Sequence, residues 1–470
     1  MHSPAHSKGT SLRSWNTIAI LLILAVFAFC GIRRGLHQDS DDLSSSFIGC
    51  RLIAKGQVSH LYAHDPKSFA EIGPDAPWQD AADEGGFEAY LHPYVQTPLW
   101  AWSLRPLCTQ ASGGFYLFQR TFTVLMLCSF AACIWLVAFF WARSFYNPFA
   151  IALICLAFWF AEPFQYALSL MQTHVLFFLL TLLSLVLAER GRPIFAGILL
   201  ALAAAVKITP AALLIYWLLT RRWKAAASMA AASAVLWIAA YLAVGPSVMQ
   251  EYRATLDRVS HVLLLSQNNQ SFAAWIMSRA YPAKEVLAFN TFVLPGWVRV
   301  VSSALFLLFT CVGGLIDRRT ADSGSGSAPG QSVARKAPIG AMVALVAATI
   351  FAPISWTHYS IILVAPLMIL LNEQILRIRE RYPALIAKLG LGEVGPGSVR
   401  QDGFLPAQLW IAALVGIIAL LNYQPIAADA LGTIIHSLTI VRSHFYAEVL
   451  CLLTLIAVAY SDPLSRHKRP

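Results

Sequence analysis

The chain is written as a succession of uninterrupted apolar runs, and these decide most of what it can become. A helix crosses the hydrocarbon core of a bilayer with about 18–25 such residues. Candidate runs cover 16–32, 114–142, 148–166, 171–188, 193–208, 209–220, 225–245, 296–316, 338–352, 358–376, 406–423 and 445–460. Of the 470 residues, 12 % are charged and 58 % hydrophobic, where soluble domains carry roughly 25 % and 45–50 %. So little charge cannot cover a water-soluble globule. A soluble enzyme, a disordered chain and a fibrous protein are excluded. The expected fold is an all-α polytopic membrane protein, one integral domain over 1–470 with about twelve (eleven to thirteen) spans. The short runs 193–208, 209–220 and 338–352 are read as tilted, re-entrant or broken.

The net charge is +10. In a soluble chain this would suggest nucleic acid, but here the basic residues sit between apolar runs, as orientation signals do. Arg190 and Arg192, Arg221 to Lys224, Arg318 and Arg319, and Arg377 to Lys388 fall on one side. That alternation predicts both termini in the cytoplasm. Lys8 and Arg13 precede the first run and Arg33-Arg34 follow it without an Ala-x-Ala-like site, so it reads as a signal anchor. Two long segments, 33–113 and 246–295, then lie outside. The stretch 317–337 reads as a flexible cytoplasmic linker and 377–404 as a further cytoplasmic loop.

Within the first outside segment, Leu43, Phe47, Ile48 and Leu52 recur near helical spacing. They predict an amphipathic helix over 43–55 at the membrane surface, ended by Gly56. Residues 92–107, aromatic and punctuated by proline, predict a second interfacial element.

Unusual polar residues collect toward the outer face: Asp39, Asp41 and Asp42; Glu162; Gln172 and His174; Lys207; Asn269 and Gln270; Trp356 and His358. A charge near hydrocarbon normally has a partner or a function. Lys207 is therefore either a snorkelling lysine or a ligand for a phosphate at the outer face. His358, at the entry of an apolar run, is either an interfacial donor or a donor to a phosphate oxygen. Gln172 and His174 carry the same two readings. The aspartates are either solvated acids or contain a general base. Asn269-Gln270-Ser271 also fits a glycosylation sequon.

Other chemistries are not written here. The sequence has no GxxxxGK[ST] or HExxH element. Six of the eight cysteines lie in apolar runs and read as small hydrophobes. Cys50 and Cys108 fall outside the runs, where pairing is allowed but not demanded. Tryptophans such as Trp15, Trp141 and Trp223 fit an interfacial belt.

Several of these residues fall into motifs in order. Asp42-Leu43 is followed by Gly56 and Leu61-Tyr62. Tyr94-Val-Gln-Thr-Pro98, Met171-Gln-Thr-His174, Lys207-Ile-Thr-Pro210, Asn269-Gln-Ser271 and Ala352-Pro-Ile-Ser-Trp-Thr-His358 come after it. Together they resemble glycosyltransferase family 87, mannosyltransferase-like membrane enzymes of the GT-C class, over most of 15–375. The family's usual Tyr, Gly and Asn are replaced by Gln96, Met171 and His174.

The resemblance implies a GT-C-like bundle with interfacial helices in the first outside loop. It implies an inverting hexosyltransferase, here a mannosyltransferase, of the cell envelope, with its site facing outward from the plasma membrane. The donor would be a polyprenyl-phosphate sugar and the acceptor a lipid-linked or other glycan. The register favours Asp42 as the base, with Asp41 and Asp39 as alternates. Lys207 and His358 would face the leaving phosphate, with Gln172, His174, Asn269, Gln270 and Trp356 as further donor contacts. Glu162, Tyr94 and Gln96 are secondary candidates. Besides membrane lipid and the lipid-linked co-substrate, no cofactor, metal or nucleic acid is expected. Rival readings are the same architecture with arabinofuranose or glucose, and a transporter or flippase.

Overall fold

The computed structural model describes residues 8–36, 40–65, 68–72, 75–87, 92–109, 114–282, 285–286, 289–324, 337–381, 414, 416–418 and 442–460. Asp39, most of the expected span 406–423, residues 325–336 of the expected linker and most of the loop 377–404 lie outside them.

In chain order the helices are α1 (Lys8–Leu36), α2 (Asp41–Ala54), α3 (Ala76–Asp83), α4 (Pro98–Ser103), α5 (Arg105–Thr109) and α6 (Gly114–Phe140). They continue with α7 (Pro148–Trp159), α8 (Glu162–Leu170), α9 (His174–Glu189), α10 (Pro193–Val206), α11 (Ala212–Leu219), α12 (Trp223–His261) and α13 (Phe272–Met277). Helices Gly296–Gly324, Ile339–Ile350, Val364–Arg381 and Ser443–Tyr460 complete the described bundle. Several starts are written locally. Asp75, Thr97 and Asn147 each cap a helix by accepting a backbone N–H, with proline in the first turn that follows.

Six helices are long and apolar enough to cross a membrane: Thr17–Leu36, Gly114–Phe140, Trp223–His261, Gly296–Arg319, Thr357–Ile378 and Ser443–Tyr460. The expected count of about twelve is not reached among the described residues, for two reasons. The run 148–166 is not one rod: it bends by 74° between α7 and α8, at Glu162-Pro163. Proline brings no N–H to continue the ladder. The apolar helices α9, α10, Thr209–Leu219 and Ile339–Ile350 have 10–17 residues. At 1.5 Å per residue these fall short of a hydrocarbon core of about 30 Å.

α12 breaks where the apolar run stops. Gly245 takes φ +84°, a left-handed value that glycine adopts without a Cβ penalty, and Pro246 follows. The chain continues as helix to His261 inside the segment 246–295. That segment also holds an antiparallel pair, β3 (Val262–Leu265) with β4 (Asn290–Val293). In the first segment β1 (His64–Asp65) pairs with β2 (Ser68–Ile72). The all-α reading missed these four short strands. Two-residue and five-residue pairings carry too little periodicity to register against flanking helices.

Two further expectations are corrected. The helix expected over 43–55 is present as α2 and ends before Gly56, at φ +75°. It has no wet face over this stretch, because every residue from Leu43 to Cys50 is buried. α2 packs among α3, α4, α5 and α6. Its serines have partners there: Ser45 donates to the Asp42 carbonyl (2.8 Å) and Ser46 to Gln96 Oε1 (3.0 Å). Secondly, 317–324 is not a linker but the end of helix Gly296–Gly324. Asp317 there accepts from Tyr216 Oη (2.5 Å) and the Gly340 N–H (3.0 Å).

The centre of the bundle is a 3-10 turn, Thr357–Leu363, whose seven residues are all buried. α8, α9 and helices Ile339–Ile350, Val364–Arg381 and Ser443–Tyr460 all pack on it.

Candidate functional site

Asp42 occupies the first turn of α2 and is half-buried. Gln172 Nε2 donates to its Oδ2. Gln172 reaches it because α8 ends abruptly: Met171 takes φ +51° and reverses the chain. A left-handed conformation costs a non-glycine residue about 1–2 kcal/mol, which explains why a glycine suits this position. The Met171 side chain is buried and receives a hydrogen bond from Thr123 on its sulfur (3.7 Å).

Two residues on, His174 opens α9. Its ring lies 4.5 Å from that of His358 and 4.0 Å from that of Tyr359, centroid to centroid. Lys207 follows the last turn of α10 in extended conformation, and its Nζ sits 4.8 Å from the centroid of the same Tyr359 ring. His174, His358 and Lys207 are therefore gathered around Tyr359, and Gln172, two positions before His174 in the chain, reaches Asp42.

The imidazoles have an unusual property. His174 and His358 are 2 % and 1 % exposed, and none of their four ring nitrogens has a hydrogen-bond partner among the described residues. A buried polar group without a partner is costly, and such groups mark either a missing ligand or water. Lys207 has no acidic partner among the described residues, and its recorded contact is the face of Tyr359. One cation and two unpartnered imidazoles thus line one place.

The remaining sequence candidates build this place more than they face it. Asn269 is fully buried. Its Oδ1 accepts from the N–H groups of Ser355 (2.9 Å) and Ser271 (3.2 Å), and its Nδ2 donates to the Leu264 carbonyl (2.8 Å). Such a side chain is committed to its own loop and, with no exposed surface, is closed to glycosylation. Gln270 Nε2 donates to the Gln267 carbonyl (2.7 Å) and its Oε1 accepts from the Phe445 N–H (3.3 Å). Trp356 bridges to Asn269 through the backbone and stacks on Phe289 at 6.0 Å. These contacts splice loop 266–271 to 353–357 and so hold His358.

Tyr94 and Gln96 brace the other side. Tyr94 Oη donates to the Thr97 carbonyl (2.6 Å) and accepts from the Ala101 N–H (3.0 Å). Tyr62 Oη donates to the Gln96 carbonyl (2.7 Å). Burial pushes the phenols of Tyr62 and Tyr94 well above the ordinary tyrosine range, so both stay protonated donors. Thr97 Oγ1 donates to the Ala205 carbonyl (2.6 Å), two residues before Lys207. Glu162 starts α8 with its carboxylate 3.5 Å from His444 Nε2. Asp41 opens α2 beside Asp42.

Sequence reasoning missed Tyr359 and Tyr166. The Tyr166 ring lies 5.6 Å from that of His358, and its Oη accepts from Asn268 Nδ2 (2.9 Å). Tyr359 was legible as the neighbour of His358; Tyr166 is one tyrosine in an apolar run and carried no signal. Cys50 and Cys108 are bonded, with Cα atoms 6.4 Å apart, so α2 is stapled to α5. Among the described residues no three His, Cys, Asp or Glu side chains gather as a metal site.

No curated protein matches the chain. Residues 97–323 match the family model of glycosyltransferase family 87. That segment carries Gln172, His174, Lys207 and Asn269, and stops short of Asp42 on one side and His358 on the other. The match bears out the family resemblance read from the sequence and marks the chain as a glycosyltransferase.

Proposed function

We propose that the chain is an inverting hexosyltransferase, transferring mannose from a polyprenyl-phosphate donor to a lipid-linked or other glycan acceptor. The observation that carries this is the set of four unpartnered imidazole nitrogens beside Lys207. A phosphate oxygen supplies the acceptor that the N–H of each imidazole lacks and the negative charge Lys207 lacks.

The acceptor hydroxyl attacks C1 of the sugar as its proton passes to the Asp42 carboxylate. The C1–O bond breaks on the opposite face, and its electron pair leaves with the lipid phosphate. Gln172 holds the Asp42 carboxylate in orientation. Charge grows on the leaving phosphate in the transition state, where a preorganised cation and donors are worth most. Replacing Lys207 by alanine therefore lowers the turnover about 10²–10³-fold.

The site opens to the outside of the plasma membrane in this reading, with both termini in the cytoplasm. The lysine and arginine pattern supports it, as does the Cys50–Cys108 bond, since such bonds persist in oxidising compartments. A lipid-carried donor suits that face, where nucleotide sugars are not supplied.

The test incubates purified protein with polyprenyl-phosphate mannose, glucose and arabinofuranose and follows release of polyprenyl phosphate. Release with mannose and formation of a mannosylated lipid are expected. Release with another sugar alone would replace mannose. Movement of donor across vesicles with no release from any would contradict transfer and indicate a flippase.

A further inference from the structure

Arg442 stands immediately before helix Ser443–Tyr460 and has no exposed surface. Its Nη1 donates to the carbonyls of Ser266 (2.7 Å) and Asn269. Its Nε and Nη2 are buried without a partner among the described residues. Those two atoms form the side-on edge of the guanidinium, the fork that gives two parallel N–H bonds to one carboxylate or phosphate.

No acid supplies that partner among the described residues. Glu448 Oε1 accepts from Ser360 Oγ (2.7 Å), and Glu162 faces His444. Burial pulls the guanidinium down from the usual arginine range to about 10, so it remains charged at pH 7. Water would satisfy the N–H groups but not the charge, and a buried charge calls for an opposite one. The first turn of an 18-residue helix begins at the next residue, and its dipole favours the same sign of ligand.

We propose that Arg442 is a second anion site, holding two oxygens of a phosphate group with its Nε and Nη2, apart from the Lys207 site. The phosphate belongs to a lipid headgroup or is free; the chemistry of recognition is the same. Occupancy also fixes the loop Ser266–Ser271, through the carbonyls that Arg442 holds. That loop positions His358 through Asn268 and Asn269.

The test uses full-length Lys207→Ala protein in detergent, so that the first site is already disabled. It measures thermal stabilisation by dioctanoyl phosphatidic acid, by inorganic phosphate and by dioctanoylglycerol. Stabilisation by phosphatidic acid and not by dioctanoylglycerol is expected. Stabilisation by inorganic phosphate as well identifies the free anion as sufficient; its absence assigns the site to a lipid. Adding Arg442→Lys, which keeps the charge and loses the fork, weakens phosphatidic acid binding about tenfold or more. Equal binding with and without Arg442→Lys, or equal stabilisation by dioctanoylglycerol, overturns the proposal. Hydrogen exchange on the Arg442 protein keeps it testable if the variant does not fold. Phosphate should protect 266–271 and 443–446, and unchanged exchange there refutes the site.

Discussion

Removing the Cys50–Cys108 bond tests how the segment between α1 and α6 holds Asp42. The bond spans a sequence separation of 58 residues. Loop-closure entropy for that length is about 14 cal/mol/K, or ~4 kcal/mol at 25 °C. This is an upper bound, because α1 and α6 already anchor both ends of the segment in the membrane. The native side of the balance is α2, buried from Leu43 to Cys50, with Asp42 two turns upstream of Cys50. A Cys50→Ala/Cys108→Ala protein is expected to melt at lower temperature and to lose transfer activity, as α2 loosens against α5. A reductant should do the same to wild type, reversibly, while Cys128→Ala, at an exposed free thiol, changes neither. The assay is sugar transfer in native membranes beside thermal denaturation in detergent. A membrane-impermeant maleimide should label the pair from outside only after reduction. Wild-type melting and transfer in the double variant would refute the claim that the staple positions Asp42.

Three other outcomes follow from the same geometry. Met171→Gly removes backbone strain of about 1–2 kcal/mol but also a buried side chain, a loss of ~2–5 kcal/mol by analogy with methionine-to-alanine changes. The protein should melt lower, and an equal or higher midpoint would show that strain dominates. Asn269→Ala strands the N–H groups of Ser355 and Ser271, at ~1–3 kcal/mol for each buried unsatisfied group. Stability and kcat should fall with the donor KM unchanged; a raised KM alone, at normal stability, would make Asn269 a substrate ligand. The Glu84 carboxyl is held below its ordinary range by the hydrogen bond from Lys55 and then that from Arg51. Its tether to α2 is therefore present above the unfolded carboxylate range and is lost as the pH falls through the lowered folded value. At neutral pH Glu84→Gln should keep transfer within about twofold, as for other exposed pairs, and a larger loss would contradict that.

The apolar runs located the helices because apolar length is a strong, local signal. It did not set how many of them cross, since Glu162-Pro163 bends one run and several others are too short. The polar candidates were legible because Asp42, Gln172, His174, Lys207 and His358 are each anomalous in an apolar setting, and the structure joins them. Their division of labour was not legible. A buried asparagine looks alike as ligand or as clamp until its partners are known, and Asn269 spends its amide on Ser355, Ser271 and Leu264. Arg442 belongs to none of the sequence motifs, and its burial comes with contacts to residues more than 170 positions away.

The central claim is that Asp42 and Lys207 act on one donor–acceptor pair. Single-turnover transfer from polyprenyl-phosphate mannose by wild type, Asp42→Asn and Asp42→Glu, each with retained donor binding, tests it most directly. Asp42→Asn should bind donor and fail to transfer, and Asp42→Glu should restore a fraction of the rate. Wild-type transfer by Asp42→Asn would contradict the account.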